Sequence, residues 1–177
     1  MTPSSYAILG LLSIEPMSGY DIRRNLDESL SYFWSESYGQ IYPALKRLDS
    51  AGLIAAVKQS DSARGKRLYA LTSQGRLKLR AWLAEAPKAQ PPRNELMLKL
   101  FFGRLAPAGA ISGHLRRLQV QQDRLLATLG DIERQLRTER AGHPDLPYWL
   151  VTLAAAVEHT KAVLDWSDQA LAELKSR

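Results

Sequence analysis

Between positions 118 and 136, Leu118, Gln122, Leu125, Leu129, Ile132 and Leu136 recur at alternating intervals of four and three. That spacing is the a/d seam of packed helices, with one polar position at Gln122. A second seam runs Leu150, Leu153, Val157, Thr160, Leu164, Ser167, Leu171 and Leu174, and His143-Pro144-Asp145-Leu146-Pro147 separates the two. Each helix then spans roughly 25 residues, about 40 Å at 1.5 Å per residue. Two such stripes on one chain pack as an antiparallel hairpin. Leu126, Trp149, Val163 and Trp166 flank the stripes and still need cover. A second copy supplies it most simply, so a two-fold homodimer is expected. Its seam draws on Leu118, Gln122, Leu125, Leu129, Ile132, Leu136, Leu153, Val157, Leu164 and Leu171, with Gln122 fixing the register.

The chain has 177 residues, enough for one domain or two small ones. Cysteine is absent, which excludes disulfides, thiol nucleophiles, iron–sulfur clusters and Cys-type zinc sites. His114, His143 and His159 have no ligand-like partner three or four residues away, so no metal is expected. No apolar stretch reaches the ~18 residues of a membrane span, and the N-terminus does not read as a signal peptide. A cytoplasmic chain with no cofactor and no membrane partner is the expectation.

The first third reads as short helices and a hairpin. Tyr6, Ile8, Leu9, Leu11 and Leu12 form an apolar helix that stops near Pro16. Ser18, with Asp21 three residues on, resembles a capping box opening a second helix whose stripe is Ile22, Leu26 and Leu30. Tyr32, Phe33 and Trp34 read as a hydrophobic plug beneath a loop. Ser37-Tyr38-Gly39-Gln40 fits a capping box for a third helix with Ile41, Leu45 and Leu48 inward. Pro43 should clash with the carbonyl of residue 39, where Gly39 gives the backbone room. The opposite face carries Gly39, Tyr42, Pro43, Lys46, Arg47 and Ser50, and Gly52 ends the helix. A hairpin follows, with strands Leu53–Gln59 and Lys66–Leu71 around a polar connection. Thr72 then caps a helix with Leu79, Trp82 and Leu83 inward.

Over residues 40–80 nine Lys and Arg stand against Asp49 and Asp61, a local excess of +7 in a chain of net charge +6. Such clustering marks an anionic partner, above all nucleic acid. Helices followed by a basic hairpin describe a winged helix-turn-helix, in which a helix enters the major groove and its first residues reach base edges. Ser35, Ser37, Gly39 and Gln40 are small or polar and permit close approach. Tyr42, Lys46 and Arg47 can reach bases or phosphates. Arg64, Lys66 and Arg67 arm the wing. Lys46 and Arg47 also read as ordinary solvated helix charges, Gln40 as a capping side chain, and Tyr20 and Tyr69 as tyrosines at the core edge.

Several segments together resemble the PadR family of bacterial transcriptional regulators. They are Tyr6-Ala-Ile-Leu-Gly-Leu-Leu12, Ser18-Gly-Tyr-Asp-Ile22, Gly39-Gln-Ile-Tyr-Pro-Ala-Leu-Lys-Arg-Leu48, Gly52-Leu-Ile54, and Lys66-Arg-Leu-Tyr-Ala-Leu-Thr72 with Gly75. Residues 93–175 resemble, by pattern and length, the C-terminal module of the branch shared with virulence-activator-like regulators. The resemblance implies a mainly α fold with a small β-hairpin wing, and a homodimer binding an inverted-repeat operator in double-stranded DNA, usually as a repressor. It places Ser37, Gly39, Gln40, Tyr42 and Lys46 at the major groove, the Arg64–Lys66 wing on flanking DNA, and Tyr20 near the backbone. Glu36 departs from what a helix facing phosphates would carry.

The expected division is a DNA-binding domain over residues 1–86, a linker over 87–92 and a helical dimerisation domain over 93–177. Leu96, Met97, Leu98, Leu100, Phe101 and Phe102 predict a short buried helix. Trp149, His159 and Trp166 are candidates for a pocket holding a small aromatic effector, with tryptophans in a dimer core as the plainer alternative. No Ser–His–Asp set, metal cluster or phosphate-cradling glycine loop suggests an enzyme. The competing function is a winged-helix adaptor that binds proteins without reading DNA sequence.

Overall fold

The structure, a computed structural model, describes residues 1–34, 38–57, 67–88 and 93–175. The expected positions Ser35, Glu36, Ser37, Arg64 and Lys66, and most of the linker, lie outside the described residues. Contacts divide the chain into two compact units, Met1–Ala89 and Gln90–Arg177.

In the first unit, helix α1 (Pro3–Ile14) has Thr2 as its N-cap and Pro3 at its first position, where a missing N–H costs nothing. Its apolar residues are buried nearly all round: Ile8 is 1% and Leu9 0% exposed. Strand β1 (Met17–Ser18) leads straight into α2 (Gly19–Asn25). The Ser18 hydroxyl accepts from the Asp21 N–H at 3.2 Å and donates to Asp21 Oδ2 at 2.6 Å, while that carboxylate accepts from the Ser18 N–H at 3.3 Å. The capping box read from the sequence is therefore closed with an aspartate. Ser18→Ala is expected to cost about 1–2 kcal/mol, read as a lower urea midpoint, and an unchanged midpoint would show that the box contributes nothing. After α2 the chain widens into a π-type turn over Leu26–Leu30. The expected plug is only half formed. Tyr32 and Trp34 are half-buried, but Phe33 is exposed and meets Tyr32 edge-on at 4.8 Å. Burial pushes the Tyr32 hydroxyl above its ordinary pKa.

A single 3-10 turn, Tyr38–Gln40, precedes α3 (Ile41–Ser50). Pro43 thus lies in the first turn of the helix, where its N–H would have no helical partner in any case. A Cβ on Gly39 would meet nothing within 4 Å outside its own turn. Ile41, Ala44, Leu45 and Leu48 are buried. Gly52 takes a φ of +69°, as a helix-ending glycine should.

Strands β2 (Ile54–Val57) and β3 (Leu68–Leu71) pair antiparallel, with Ala56 opposite Tyr69. The predicted strand ends Lys58, Gln59 and Lys66 lie outside the described residues. Strand β1 adds to the other side of β3, Met17 opposite Tyr69 and Ser18 opposite Leu68, which gives the order β1-β3-β2. A two-residue strand is too short to show alternation, so this edge was not predictable from pattern. Helix α4 (Ser73–Leu83) is capped by Thr72, whose hydroxyl accepts from the Gly75 N–H at 3.0 Å and lies within donating distance of Gly52 O and Leu53 O. Trp82 stacks on Tyr6 with centroids 4.4 Å apart. Leu83, expected inward, is 67% exposed: it is the last residue of α4, and the inward stripe through Gly75, Leu79 and Trp82 ends before it.

In the second unit, α5 (Glu95–Phe101) is followed by a 3-10 turn at Gly103–Leu105, then α6 (Ala110–Glu139) and α7 (Leu146–Lys175). The expectation of a buried α5 fails. Leu96 and Leu100 are half-buried, but Leu98, Phe101 and Phe102 are 60%, 83% and 57% exposed. A two-turn helix with apolar residues all round can turn only one side to a neighbour. Helices α6 and α7 form the antiparallel hairpin, and the Gln119 amide donates to Asp168 across it at 2.6 Å. Leu129 (0%) and Leu153 (2%), expected in a dimer seam, are instead buried within this hairpin; a second copy cannot reach them. The heptad-spaced Thr160 and Ser167 are buried as well. Their hydroxyls donate to Ala156 O and Leu164 O of their own helix, each at 2.8 Å. The other seam residues, Leu118, Gln122, Leu125, Ile132, Leu136, Val157, Leu164 and Leu171, are half-buried.

Candidate nucleic-acid interface and effector cleft

Helix α3 has two faces of opposite character. Its apolar side is in the core, and Tyr42, Pro43, Lys46, Arg47 and Ser50 are all exposed on the other. Gly39 and Gln40 are exposed just ahead of it. No side-chain cap bond is made by Gln40 to α3. Tyr42 is 60% exposed, and its ring lies against the α2 backbone, 2.8 Å from where a Cβ on Gly19 would stand. Tyr20, the next residue, is 56% exposed rather than tucked into the core edge. Tyr69 is the one that packs against the core. Tyr20, Gln40, Tyr42, Lys46 and Arg47 therefore share the surface formed by α2 and α3. Such a surface, polar and basic with a glycine at its tip, admits a close, electronegative partner.

Arg67, expected on the wing, is held by the protein itself. It donates to Asp49 at 2.8 Å and lies over the Tyr69 ring, 5.3 Å from its centroid. Composition does not reveal this pairing. A signal was present in Asp49, an acid in the last turn of a helix, where a cation is favoured.

The second unit holds a cleft of about 660 Å³ lined by α5, α6 and α7. His159 and Trp166 line it, together with Glu95, Lys99, His114, Arg117 and Gln122. Trp149 does not. It lies seventeen residues before Trp166, about 25 Å along the helix, and stacks on His143 at 4.6 Å. Lys99 donates to Glu95 at 2.6 Å, and this hydrogen bond and charge hold the Glu95 carboxyl below the usual carboxylate range. Arg117 lies 2.7 Å from His114 Nδ1. The polar lining was not singled out in the sequence, although Arg117 follows His114 by one helical turn. Among the described residues, no group of His, Cys, Asp and Glu could hold a metal ion, and no helix is long and apolar enough to cross a membrane.

Known proteins share this fold. Residues 8–81 match the transcriptional regulator PadR-like family, and residues 92–175 match the virulence activator alpha C-terminal family. The negative transcriptional regulator PadR of Bacillus subtilis is 34% identical over 94% of each chain. The crystal structure of Bacillus subtilis PadR in complex with operator DNA superposes with a TM-score of 0.83 at 31% identity, covering 98% of both chains. The complex of that protein with p-coumaric acid gives 0.76 at 33% identity, covering 97% of this chain and 98% of the other. With both halves matched in order and a relative this similar over nearly its full length, the chain belongs to the PadR-like family of transcriptional regulators.

Proposed function

We propose that this chain is a cytoplasmic, homodimeric repressor that binds an inverted-repeat operator through α3 and the hairpin, and leaves it when a small aromatic effector binds. The outward face of α3 carries the proposal, since Gln40, Lys46 and Arg47 are exposed there and Tyr42, although its ring rests on Gly19, is 60% exposed. The likeness to PadR bound to operator DNA supports it. Residues 1–86 act as the reading domain and 93–177 as the dimerisation domain, joined by 87–92. Two reading heads about one helical turn apart, roughly 34 Å, suit a palindromic site. Ser35, Ser37, Arg64 and Lys66 belong to the same DNA-contacting set by position in the chain. The half-buried seam residues and the exposed apolar residues of α5 are the surface offered to the second copy.

The effector is proposed to bind in the cleft. Trp166 and His159 supply aromatic rings to its lining, and Arg117 offers charge to a carboxylate, joined by Lys99 when it leaves Glu95. Such a ligand matches the p-coumaric acid held by the Bacillus subtilis relative.

Selection of bound duplexes from a random pool tests the reading. An enriched inverted repeat is expected. A dimer that enriches none would favour the protein-binding adaptor. With the selected duplex, Lys46→Ala should weaken operator and random duplex alike and lower the slope of log K against log salt by about 1. Gln40→Ala should instead weaken the operator alone, by about 1–3 kcal/mol, and relax preference at a single base position. Filter binding at several salt concentrations separates the two, and an identical profile for both variants would remove Gln40 from base reading.

A further inference from the structure

We infer that Asp49, Arg67 and Tyr69 form a strut that sets the angle between α3 and the hairpin, so that Asp49, a residue unsuited to touching DNA, determines operator specificity. The inference rests on the reading that α3 and the hairpin hold the DNA together.

Asp49 sits in the last turn of α3, at the negative end of the helix dipole, where an acid is unfavourable. What it gains there is a partner outside its own helix. Arg67 Nη2 donates to Asp49 Oδ2 at 2.8 Å across eighteen residues of chain. Arg67 immediately precedes β3, at the outer end of the described ladder, where Leu68 is paired with Val57. Its guanidinium also lies over Tyr69, which is paired with Met17 and Ala56 and packed on the core. The cation is thus gripped between a carboxylate at the end of α3 and a ring fixed in the sheet. A planar guanidinium is suited to that double role, because it donates in its plane and stacks through its face. Held this way, Arg67 serves as a positioning residue, and its charge is partly satisfied before any phosphate arrives.

Two accounts of Asp49 give opposite signs. If the pair is only a surface ion pair and Arg67 is a phosphate contact, Asp49→Asn removes a negative charge near DNA and frees the arginine. Binding to every duplex should then tighten. If the pair is a strut, Asp49→Asn lets the hairpin drift relative to α3, and the operator loses the simultaneous fit of helix and wing. Random duplex, which requires no such fit, is bound as before.

The test uses the full chain, the duplex selected by the parent protein and a random duplex of equal length. Asp49→Asn, Arg67→Ala, the double variant and Asp49→Glu are compared at several salt concentrations. The strut predicts that each single variant loses about tenfold in operator affinity while random-duplex affinity and salt slope hold. The double variant should be no worse than either single one, and Asp49→Glu should recover most of the loss. Melting temperatures should barely move, since an exposed pair contributes little to stability. Operator binding by Asp49→Asn that equals or exceeds the parent overturns the strut. So does an Arg67→Ala loss shared by both duplexes with the slope reduced by about 1. Failure of the underlying DNA reading looks different: the parent itself then shows no preference for any selected duplex.

Discussion

Gly75→Ala is expected to unfold the first unit at temperatures where the parent is stable. A Cβ at residue 75 would stand 2.0 Å from the Leu53 carbonyl oxygen and 2.7 Å from Leu71 Cδ1. The first of these atoms is backbone. It cannot swing aside, because Leu53 O accepts from the Thr72 N–H at 3.2 Å and lies 3.0 Å from the Thr72 hydroxyl. Room for one methyl group therefore requires moving the start of α4 away from the turn that ends α3. Overpacking in a well-filled site costs typically 1–3 kcal/mol, and with a backbone atom as the obstacle about 3 kcal/mol or more is expected. For a unit of this size that is a fall in melting temperature of roughly 12 °C or more. Gly10→Ala is the matched control. Gly10 lies inside α1 and a Cβ there meets nothing within 4 Å, so the change should be neutral or stabilise by up to about 1 kcal/mol. Thermal unfolding followed by circular dichroism reads both variants. Equal melting temperatures would mean that α4 yields far more easily than its contacts imply.

Leu129→Ala should be among the most damaging single truncations in the second unit, alongside those at Leu115 and Leu153. Leu129 is 0% exposed at the middle of α6, packed in the α6–α7 hairpin. Leu→Ala at such sites costs about 2–5 kcal/mol, the spread depending on how far the neighbours close the cavity. Thr160→Val, on the facing helix and equally buried, is expected to stay within about 1 kcal/mol of the parent. The Thr160 hydroxyl only returns a bond to Ala156 O of its own helix, and that carbonyl keeps its helical partner when the hydroxyl is lost. Urea unfolding distinguishes them. If the operator is held by two copies joined through this unit, Leu129→Ala should also lower operator affinity near its unfolding midpoint, whereas Thr160→Val should not. A large loss from Thr160→Val with none from Leu129→Ala would mean that polar bonding rather than apolar packing holds the hairpin.

Local signals carried much of the first unit. Ser18 with Asp21, Thr72 with Gly75 and Gly52 after α3 each act within four residues, and each is found in the role its chemistry predicts. The outward face of α3 was legible for the same reason, since helical periodicity fixes which residues share a side. What failed depended on partners far along the chain. Nothing near Gly75 announces that Leu53 O will lie against it. Arg67 reads as a wing cation until Asp49, eighteen residues earlier, takes hold of it. Leu129 and Leu153 show a seam but not which helix fills it; the first candidate, the neighbouring helix of the same chain, suffices. Trp149 and Trp166 are alike in composition, and only distance along α7 separates the one on His143 from the one in the cleft.

Ser18 is at once the last residue of β1, opposite Leu68, and the N-cap of α2. The ring of connections around the reading head therefore closes on itself. From α3 it passes through Asp49 and Arg67 to β3, across to Ser18, into α2, and back to α3 where Tyr42 meets Gly19. A motion of one member of such a ring is passed on to the others. If Asp49 and Arg67 act as the strut inferred above, helix and hairpin are re-aimed together, and a half-site whose groove is too wide or too far from its flank costs one of the two contacts. Tolerance to changes within a half-site should accordingly fall in a single step rather than by degrees.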